Sequence, residues 1–453
     1  MECHLKISKY SKRGHGLASI QKTPQTPPSQ AEVVGSVVGD EVFAELLKKK
    51  KRAYATHLLK VLKPSPDRVT PRCQHAGSCG GCTWQQMDYQ AQLKEKEKWV
   101  RALFPIEPRS IIPCEDPWRY RNKMEYSFSQ SREGERFLGL IQARSKGKVI
   151  NLKECHLTAP WFIQVLHGVK RWWEGTRLQA FHPYSGRGTL RTLTLREGKG
   201  SGECLVFLTI SGGEYSINRD EIEGFKQAVR SALPDKNPAL FLQIVRAQKG
   251  RPTTFDEMHL GGPESLQEEL VVKGRKLTFS LSPTSFFQPN PRQAEKLFSA
   301  ALDIASPQNG DRVYDLYCGT GTLGILFAPY VNKVAGIELS PYAACDAKVN
   351  AQANGCENLT IIHGDVATLL EERILSPDIA IVDPPRSGLD QNTIRHLLRL
   401  SPRKILYISC NIRTQSENLT ALSKGGYTLK VVQPIDQFPH TVHLENIILL
   451  EKG

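Results

Sequence analysis

The sequence predicts an α/β protein whose C-terminal third forms a doubly wound, mostly parallel sheet. From Asp311 onward, short apolar runs alternate with helical stretches, which is typical of βαβ units. The predicted strands are residues 312–316, 333–337, 359–362, 379–382 and 404–408. A chain of 453 residues is too long for one ordinary domain, so at least one further domain must precede this sheet.

Charge and composition narrow the class of protein. Lys and Arg outnumber Asp and Glu by 60 to 46, which gives a formal net charge of +14. A surface this basic attracts polyanions, so RNA or DNA is the first partner to consider, with solubility alone as the alternative. No apolar run approaches the roughly 18 residues of a membrane span, and the first twenty residues lack an apolar signal core. We expect a cytoplasmic monomer without membrane contact.

Residues 1–63 are predicted to form a small OB-like β-barrel. The β-like runs 32–38 and 41–47 are separated by a Gly-Asp turn signal, and residues 21–30 are rich in Pro, Thr and Gln, which is typical of an exposed loop. The basic run 48–52 matches a surface that follows a nucleic-acid backbone, or else a solvated face. A boundary near Pro64 then begins a strand-rich central domain, residues 64–282. Residues 90–103 have the pattern of an amphipathic helix.

A glycine-rich turn follows the first strand of the predicted sheet. The segment VYDLYCGTGTLGI, residues 313–325, runs from an apolar strand into a helix, and Gly319, Gly321 and Thr322 lie where the backbone can approach a ligand closely. Glu338 ends the next strand, the expected place for an acidic residue that binds ribose hydroxyls. Asp365 and Asp383 follow the third and fourth strands. This pattern resembles a class I (Rossmann-like) S-adenosylmethionine (SAM) methyltransferase more than a dehydrogenase.

One cysteine among eleven stands out. Cys410 directly follows the strand KILYIS and is flanked by polar Ser409 and Asn411, so its thiol should emerge at the same sheet edge as the glycine turn. A free cysteine is usually a small buried hydrophobe, and Cys318, for example, is expected to serve packing. Glu445, in HTVHLEN, is a candidate general base, although a glutamate beside an apolar strand is unremarkable by itself.

The C-terminal motifs together resemble the RNA uridine-5-methyltransferase family. The matching pieces, in order, are FFQPN, DLYCGTGTLG, DPPRSGLD, YISCN and FPHTVHLENIILL. The resemblance implies that Cys410 adds to C6 of a uridine, and that Glu445 removes the C5 proton after methyl transfer. It also implies that a set of polar residues contacts the methyl donor or orients the base: Gln288, Tyr317, Glu338 and Asp383. Residues 283–453 would be the methyltransferase domain, with part of 90–121 packed against it.

Four further cysteines form a candidate metal centre. Cys73, Cys79 and Cys82 lie in CQHAGSCGGC, and either Cys155 or Cys114 could supply a fourth ligand. Spacing alone leaves zinc and an iron–sulfur cluster open. The run CQHAGSCGGC followed by DPWRYRNKMEYSF and ECHL resembles the iron–sulfur branch of the family, which implies a [4Fe-4S] cluster on the first three cysteines and Cys155. GHGLA and VVGDEV are similar to a TRAM domain, an RNA-binding barrel.

The resemblance implies 23S ribosomal RNA as the substrate, because bacterial tRNA enzymes of the family generally lack both the cluster and the barrel. A tRNA uridine-5-methyltransferase is the alternative, since archaeal relatives use a cluster-bearing version on tRNA. Two other chemistries are less favoured. Exocyclic-amine methyltransferases also carry DPP but need no nucleophile, and cytosine-5 enzymes place a Cys after the proline where this chain has Arg386. A rival of another class is a non-catalytic, RNA-binding or redox-sensing iron–sulfur protein.

Overall fold

The structure is a computed structural model that describes residues 1–21, 29–50, 53–213, 217–247, 250–372 and 376–453. Most of the predicted loop at 21–30 and the end of the basic run at 48–52 lie outside these residues. Within the described part of the chain, no helix combines the length and the apolar character needed to cross a membrane. The strands fall into three large sheets and one hairpin.

The N-terminal sheet has six strands in the order β1-β5-β6-β4-β3-β2. Alternate side chains of these strands, such as Val33 and Val42, are fully buried and form a separate small core. Arg144, from a loop that joins two strands of the central sheet, donates to the Thr56 and Glu32 carbonyls and so attaches the two sheets to each other. The strands are β1 (Glu2–Lys6), β2 (Lys9–Tyr10), β3 (Gly16–Ile20), β4 (Ser29–Val33), β5 (Glu41–Lys50) and β6 (Ala53–Lys63).

The β-like run predicted at 41–47 lies within β5, whereas the run predicted at 32–38 is wrong beyond Val33. Strand β4 ends at Val33 and pairs with β3 and β6, whereas β5 pairs with β1 and β6. The cause is Asp40, whose buried carboxylate accepts hydrogen bonds from the amides of Val37 and Ser65 and pairs with Arg68. These bonds fold residues 34–40 into a loop, because they take donors that a strand ladder would need.

The central sheet has seven strands in the order β13-β12-β11-β10-β7-β8-β9. Two helices pack against each other and bury Phe162, Val169 and Phe225 against the sheet. The sequence did not reveal these helices. The elements are β7 (Lys123–Gln130), β8 (Arg136–Ile141), β9 (Val149–Asn151), α2 (Trp161–Glu174), β10 (Leu190–Glu197), β11 (Cys204–Ser211), α3 (Arg219–Ala232), β12 (Ala239–Arg246) and β13 (Thr254–Gly261). Helix α1 (Tyr89–Arg101) precedes them and matches the predicted helix to within two residues.

The C-terminal sheet has the order β18-β17-β16-β19-β20-β22-β21 and confirms the predicted α/β class. All five predicted strands are present, and three of them run one residue further. The elements after the hairpin β14 (Leu266–Val272) and β15 (Arg275–Leu281) are α4 (Pro291–Ala305), β16 (Arg312–Leu316), α5 (Thr322–Phe327), β17 (Lys333–Glu338), α6 (Pro341–Ala353), β18 (Leu359–His363), α7 (Val366–Glu372), β19 (Ile379–Val382), α8 (Gln391–Leu400), β20 (Lys404–Ser409), α9 (Ile412–Lys424), β21 (Tyr427–Ile435) and β22 (Glu445–Lys452).

Two features of this sheet were not visible in the sequence. Strand β22 inserts between β20 and β21 and runs antiparallel to both. The hairpin β14–β15 buries Leu270 and Phe279 in the same core as Leu297 and Phe298 of α4. This hairpin lies before residue 283, the predicted start of the methyltransferase domain, yet its packing ties it to the C-terminal sheet.

A buried ion pair joins helix α1 to the C-terminal sheet. The Lys96 ammonium lies 2.5 Å from the Asp436 carboxylate, and both side chains are fully buried. Lys96 also donates to the Phe438 carbonyl, and the Tyr89 hydroxyl donates to the other Asp436 oxygen. Each charge therefore has a second polar partner, which is the condition under which a buried pair is tolerated.

We expect Lys96→Met to lower the free energy of unfolding by about 3–5 kcal/mol, because the Asp436 charge would remain buried without its cation. Guanidinium unfolding measures this difference. Lys98→Met is the matched control, since Lys98 is largely exposed on the same helix. The double variant Lys96→Met/Asp436→Leu should recover part of the loss. A single variant as stable as the control would contradict this account of the junction.

Candidate active site

The glycine turn after β16 has the backbone that the sequence predicts. Gly319 and Gly321 both have positive φ (55° and 84°), which glycine adopts without a Cβ penalty. Tyr317 also has positive φ (64°), a conformation that is costly for a bulky residue and concentrates at functional sites. A Cβ at Gly319 would meet no atom within 4 Å, so open space lies over the turn. The turn can therefore admit a ligand next to its backbone.

Glu338 is the last residue of β17, and its carboxylate binds the backbone of this turn. One carboxylate oxygen accepts the Gly319 amide at 2.9 Å and the other accepts the Ser340 amide at 2.7 Å. Each oxygen retains lone pairs for a further donor, so the half-buried carboxylate can still bind hydroxyl groups. Asp315, which the sequence analysis did not single out, accepts the Gly324 amide at 2.7 Å from below the turn. Burial raises the pKa of Asp315 to about 7.

The other residues predicted to contact the methyl donor lie at different places around the turn. The Tyr317 hydroxyl lies 3.3 Å from the Thr393 hydroxyl, toward α8. Thr322 is buried as the first residue of α5, with its hydroxyl 3.4 Å from that of Thr320. Asp365 is exposed, and its Oδ1 accepts the amide and hydroxyl of Thr368. This caps α7, so one of the two Asp365 oxygens already serves the helix.

Gln288 lies in a loop that the central sheet holds in place. Asn122 donates its amide N–H to the Pro289 carbonyl and its side-chain N–H to the Gln288 carbonyl. The buried guanidinium of Arg196 donates to the Ser285 carbonyl at 2.8 Å. The Gln288 side-chain oxygen accepts from Gln437 at 3.2 Å. The predicted residue Gln288 thus joins the loop before α4 to the loop before β22.

The antiparallel strand β22 brings Glu445 to Cys410. Ser409, the last residue of β20, pairs with Asn446 of β22. In an antiparallel ladder the next two residues outward are also neighbours, and these are Cys410 and Glu445. Asp383 follows β19, which pairs with β20, so the same edge carries its carboxylate. The structure therefore gathers these three predicted site residues at one edge of the sheet: Asp383 and Cys410 follow the carboxyl ends of β19 and β20, and Glu445 begins the antiparallel β22.

The protonation of this group is set by burial and by mutual repulsion. Burial, and then the nearby Asp383 charge, raises the pKa of Glu445 well above its usual range. Burial raises the pKa of Asp383 to about 7. The pKa of the Cys410 thiol rises to about 11 through burial and the adjacent Glu445, while Arg386 opposes the shift. Arg386 lowers the pKa of Glu445 as well.

Arg386 and His443 are the site residues that the sequence analysis left without a role. The Arg386 backbone is fixed by the Asn411 side chain, which donates to its carbonyl at 2.9 Å. Burial, and then the charge of Arg386, lowers the pKa of His443 to about 4. The motif DPPR follows a predicted strand, so the sequence already places Arg386 at the edge of the sheet where the site lies. For His443, the sequence contains no signal that distinguishes a site residue from an ordinary buried histidine.

The four predicted cluster cysteines line one cavity of about 560 Å³. It lies between the segment after the N-terminal sheet and strands β7–β9. Cys114 lies elsewhere: its thiol is buried, donates to the Asp116 carbonyl and accepts from Asn290. Burial raises the pKa of Cys79 to about 11 and of Cys82 to about 12, and the neighbouring Cys155 adds to both shifts. Across the described ranges, no three His, Cys, Asp or Glu side chains gather closely enough to hold a metal ion.

The strand order, the glycine turn and the acidic residue on it define the fold of a class I methyltransferase. A sequence model described as tRNA (uracil-5-)-methyltransferase matches residues 222–372 and 373–453. An uncharacterized RNA methyltransferase of Protochlamydia amoebophila is 48% identical over 92% of this chain and 99% of its own length. One from Caldanaerobacter subterraneus is 33% identical over 99% and 98%. The chain belongs to the tRNA (uracil-5-)-methyltransferase family and is an RNA methyltransferase.

A solved structure shares the whole fold. The Pyrococcus abyssi tRNA (uracil-54, C5)-methyltransferase, in complex with S-adenosyl-L-homocysteine, superposes with a TM-score of 0.75. The match covers 99% of this chain and 100% of that chain at 24% sequence identity. The likeness therefore extends over the N-terminal and central sheets as well as the C-terminal one.

Proposed function

We propose that this protein transfers a methyl group from SAM to C5 of a uridine in RNA. The observation that carries the proposal is the pairing of Cys410 with Glu445 at the sheet edge that also holds the glycine turn. A thiol and a carboxyl group that lie opposite each other, one residue beyond the last ladder pair, can act on neighbouring atoms of one pyrimidine ring. Neither an exocyclic-amine methyltransferase nor a non-catalytic RNA-binding protein needs this pair.

The turn fits the methyl donor. Open space over Gly319 admits a ligand, and the Glu338 oxygens can accept hydrogen bonds from ribose hydroxyls. Gln288, Tyr317, Gly321, Thr322, Asp365 and Asp383 complete the proposed donor and base contacts. When bound, SAM supplies a methyl group on a sulfonium, which leaves as a neutral thioether. The S-adenosyl-L-homocysteine in the Pyrococcus abyssi complex, which is what remains of SAM after methyl transfer, supports this choice.

Cys410 and Glu445 act in different steps of the proposed reaction on the uridine. The Cys410 thiolate forms a bond to C6, and the electron pair displaced from the C5–C6 double bond makes C5 nucleophilic toward the methyl group. Glu445 then takes the C5 proton, the double bond reforms, and the sulfur–C6 bond breaks to return the thiolate. Because Arg386 favours the ionised forms of both residues, we propose that it keeps the pair reactive.

We predict a covalent RNA–protein intermediate. Cys410→Ala should abolish both methylation and the adduct, because no sulfur remains to attack C6. Glu445→Gln should form the adduct and fail to resolve it, since an amide cannot take the C5 proton. Denaturing gels with radiolabelled RNA measure the adduct, and Cys356→Ala, a buried cysteine distant in the fold, is the control. An undiminished adduct in Cys410→Ala would refute the assignment.

We further propose that Cys73, Cys79, Cys82 and Cys155 hold a [4Fe-4S] cluster. All four thiols line the same cavity, and Cys114, the competing fourth ligand, does not. A cubane cluster binds each cysteine through a different iron, so its four sulfurs are more widely spaced than the ligands of a single ion. Thiolates are also the ligands that such clusters require, and here they would serve structure or RNA positioning.

Anaerobically purified protein should contain about four irons per chain and absorb visible light. Cys155→Ser should lose most of this iron, because one of the four ligands is removed. Cys114→Ser should retain it and serves as the matched control. Stoichiometric zinc in the wild-type protein, or full iron retention in Cys155→Ser, would contradict the cluster.

We propose 23S ribosomal RNA as the substrate, with tRNA as the alternative. Residues 1–63 would be a TRAM-like RNA-binding barrel, residues 64–282 the cluster-bearing domain and residues 283–453 the methyltransferase domain. Exposed Lys48, Lys49, Lys60 and Lys63 on β5 and β6 supply charge for an RNA backbone. The archaeal tRNA enzyme supports the alternative, because its fold covers the same three regions. Overall architecture therefore does not separate the two substrates.

Mapping 5-methyluridine in a deletion strain separates them. If the proposal is right, one or more sites in 23S ribosomal RNA lose the modification while tRNA keeps it, and the wild-type gene restores it. The Cys410→Ala gene should not, which controls for indirect effects on ribosome assembly. Loss from tRNA with ribosomal RNA unchanged would replace the substrate and leave the mechanism in place.

A further inference from the structure

The loop that delivers the proposed base is held by a distant part of the chain. Residues 436–444 connect β21 to β22, and Glu445 follows directly. Three consecutive carbonyls of this loop accept hydrogen bonds from residues between 83 and 120. Lys96 donates to Phe438 at 3.1 Å, the Tyr120 hydroxyl donates to Pro439 at 3.1 Å, and the amides of Thr83 and Trp84 donate to His440 at 2.9 and 3.0 Å.

Gln92 completes this attachment from helix α1. Its side chain is fully buried, and its amide oxygen accepts the His440 amide at 2.8 Å. Its amide nitrogen donates to the Trp84 carbonyl at 3.1 Å and to the Met87 carbonyl at 2.9 Å. One side chain thus ties the loop to the segment that follows Cys82. Both ends of the amide are used, so a hydrocarbon of similar size would leave buried polar groups unpaired.

His440 has a backbone conformation that needs this support. Its φ is 63°, in the left-handed region, which costs about 1–3 kcal/mol for a residue other than glycine. Both its N–H and its C=O are held from outside the loop, and its ring lies 4.0 Å from that of Trp118 with a 30° tilt. Strain of this kind persists only where the surroundings fix it. Release of these contacts would let the loop relax.

We propose that Gln92 is a positioning residue for Glu445, acting through His440. The proposal rests on the proposed role of Glu445 as the base. Only four residues separate His440 from Glu445, and within them the Thr441 hydroxyl accepts the His443 amide at 3.2 Å, which restricts this short connection. Proton transfer needs the carboxylate within hydrogen-bond reach of the C5 proton, and a displacement near 1 Å can cost about a hundredfold in rate.

The contacts that hold the nucleophile come from outside residues 436–444, because Ser409, just before it, pairs with Asn446 of β22. Cys410 lies between β20 and α9, and Asn411 fixes it by donating to the Arg386 carbonyl at 2.9 Å. Gln415 of α9 donates to the Tyr407 carbonyl at 2.9 Å. A change at Gln92 should therefore slow removal of the C5 proton while leaving attack at C6 intact. A general loss of structure would slow both steps together.

The test compares Gln92→Leu with Gln90→Leu, the same substitution at an exposed position of the same helix. RNA containing 5-fluorouridine stops before proton removal and reports adduct formation, and RNA containing uridine reports complete turnover. We expect Gln92→Leu to form the fluorouridine adduct within about twofold of the wild-type rate and to turn uridine over at least tenfold more slowly, with adduct accumulating. Gln90→Leu should match the wild type, and Gln92→Glu, which keeps the acceptor for His440, should recover part of the turnover.

Tyr120→Phe provides a milder variant if Gln92→Leu does not fold. It removes only the hydrogen bond to the Pro439 carbonyl, so the same step should slow to a smaller extent. Equal slowing of adduct formation and turnover in these variants, or no slowing of either, would overturn the positioning role. If the wild-type protein forms no adduct that depends on Cys410, the proposed function fails instead.

Discussion

The structure depends on the burial of Trp84, whose polar groups face three different parts of the chain. Its indole N–H donates to Gly14 of the N-terminal sheet, its amide donates to His440 of the C-terminal sheet, and its carbonyl accepts from Gln92 of α1. The ring lies between those of Tyr10 and Trp99. Burial of an indole supplies a large apolar area at this point. Hydrogen bonds are directional, so these bonds fix the relative orientation of the sheets. Apolar contact alone would allow several orientations.

The same region explains why Gly14 is a glycine. Its φ is 75°, and a Cβ there would lie 2.2 Å from Val442 and 2.9 Å from the Trp84 indole nitrogen. The N-terminal sheet can therefore approach the loop before Glu445 only because this position carries no side chain. Close approach also brings the cysteine-bearing segment, which ends at Cys82, within one residue of a contact to that loop. The cysteine-bearing segment and the loop before Glu445 are thus parts of one packed unit.

Local sequence patterns predicted the parallel part of the C-terminal sheet well. The buried runs at 312–316 and 379–382 are bounded by turn residues, and their strands match to the residue. The carboxyl ends of parallel strands lie at one edge of a sheet, so the sequence alone places Glu338, Asp383 and Cys410 at the same edge. Strand β22 could not be placed in this way, because its position between β20 and β21 depends on long-range pairing. The resemblance named Glu445, but only the ladder explains why it lies beside Cys410.

The errors and omissions of the sequence analysis share a physical cause. The strand expected at 32–38 ends early because Asp40 binds Arg68 and two amides, partners that lie up to 28 residues away. The sequence analysis did not single out Lys96 in its predicted helix, yet this lysine is fully buried against Asp436, 340 residues later. Periodicity describes neighbours along the chain and gives no information on such partners. Of the two central helices, α3 was missed although its start carries a capping box, with Asn218 at the N-cap and Glu221 three residues later.

The antiparallel insertion of β22 has a consequence for how the chain between Cys410 and Glu445 can vary. The separation of the two side chains is set by the register of β20 and β22, whose last pair is Ser409 and Asn446, and not by the length of the chain through α9 and β21 that connects them. Residues 425 and 426 join α9 to β21 at the far end of the sheet from both side chains. Lengthening the chain there leaves the ladder register untouched. An insertion at this turn would therefore not change the spacing of Cys410 and Glu445, and related chains can differ in length there while preserving the geometry of the proposed reaction.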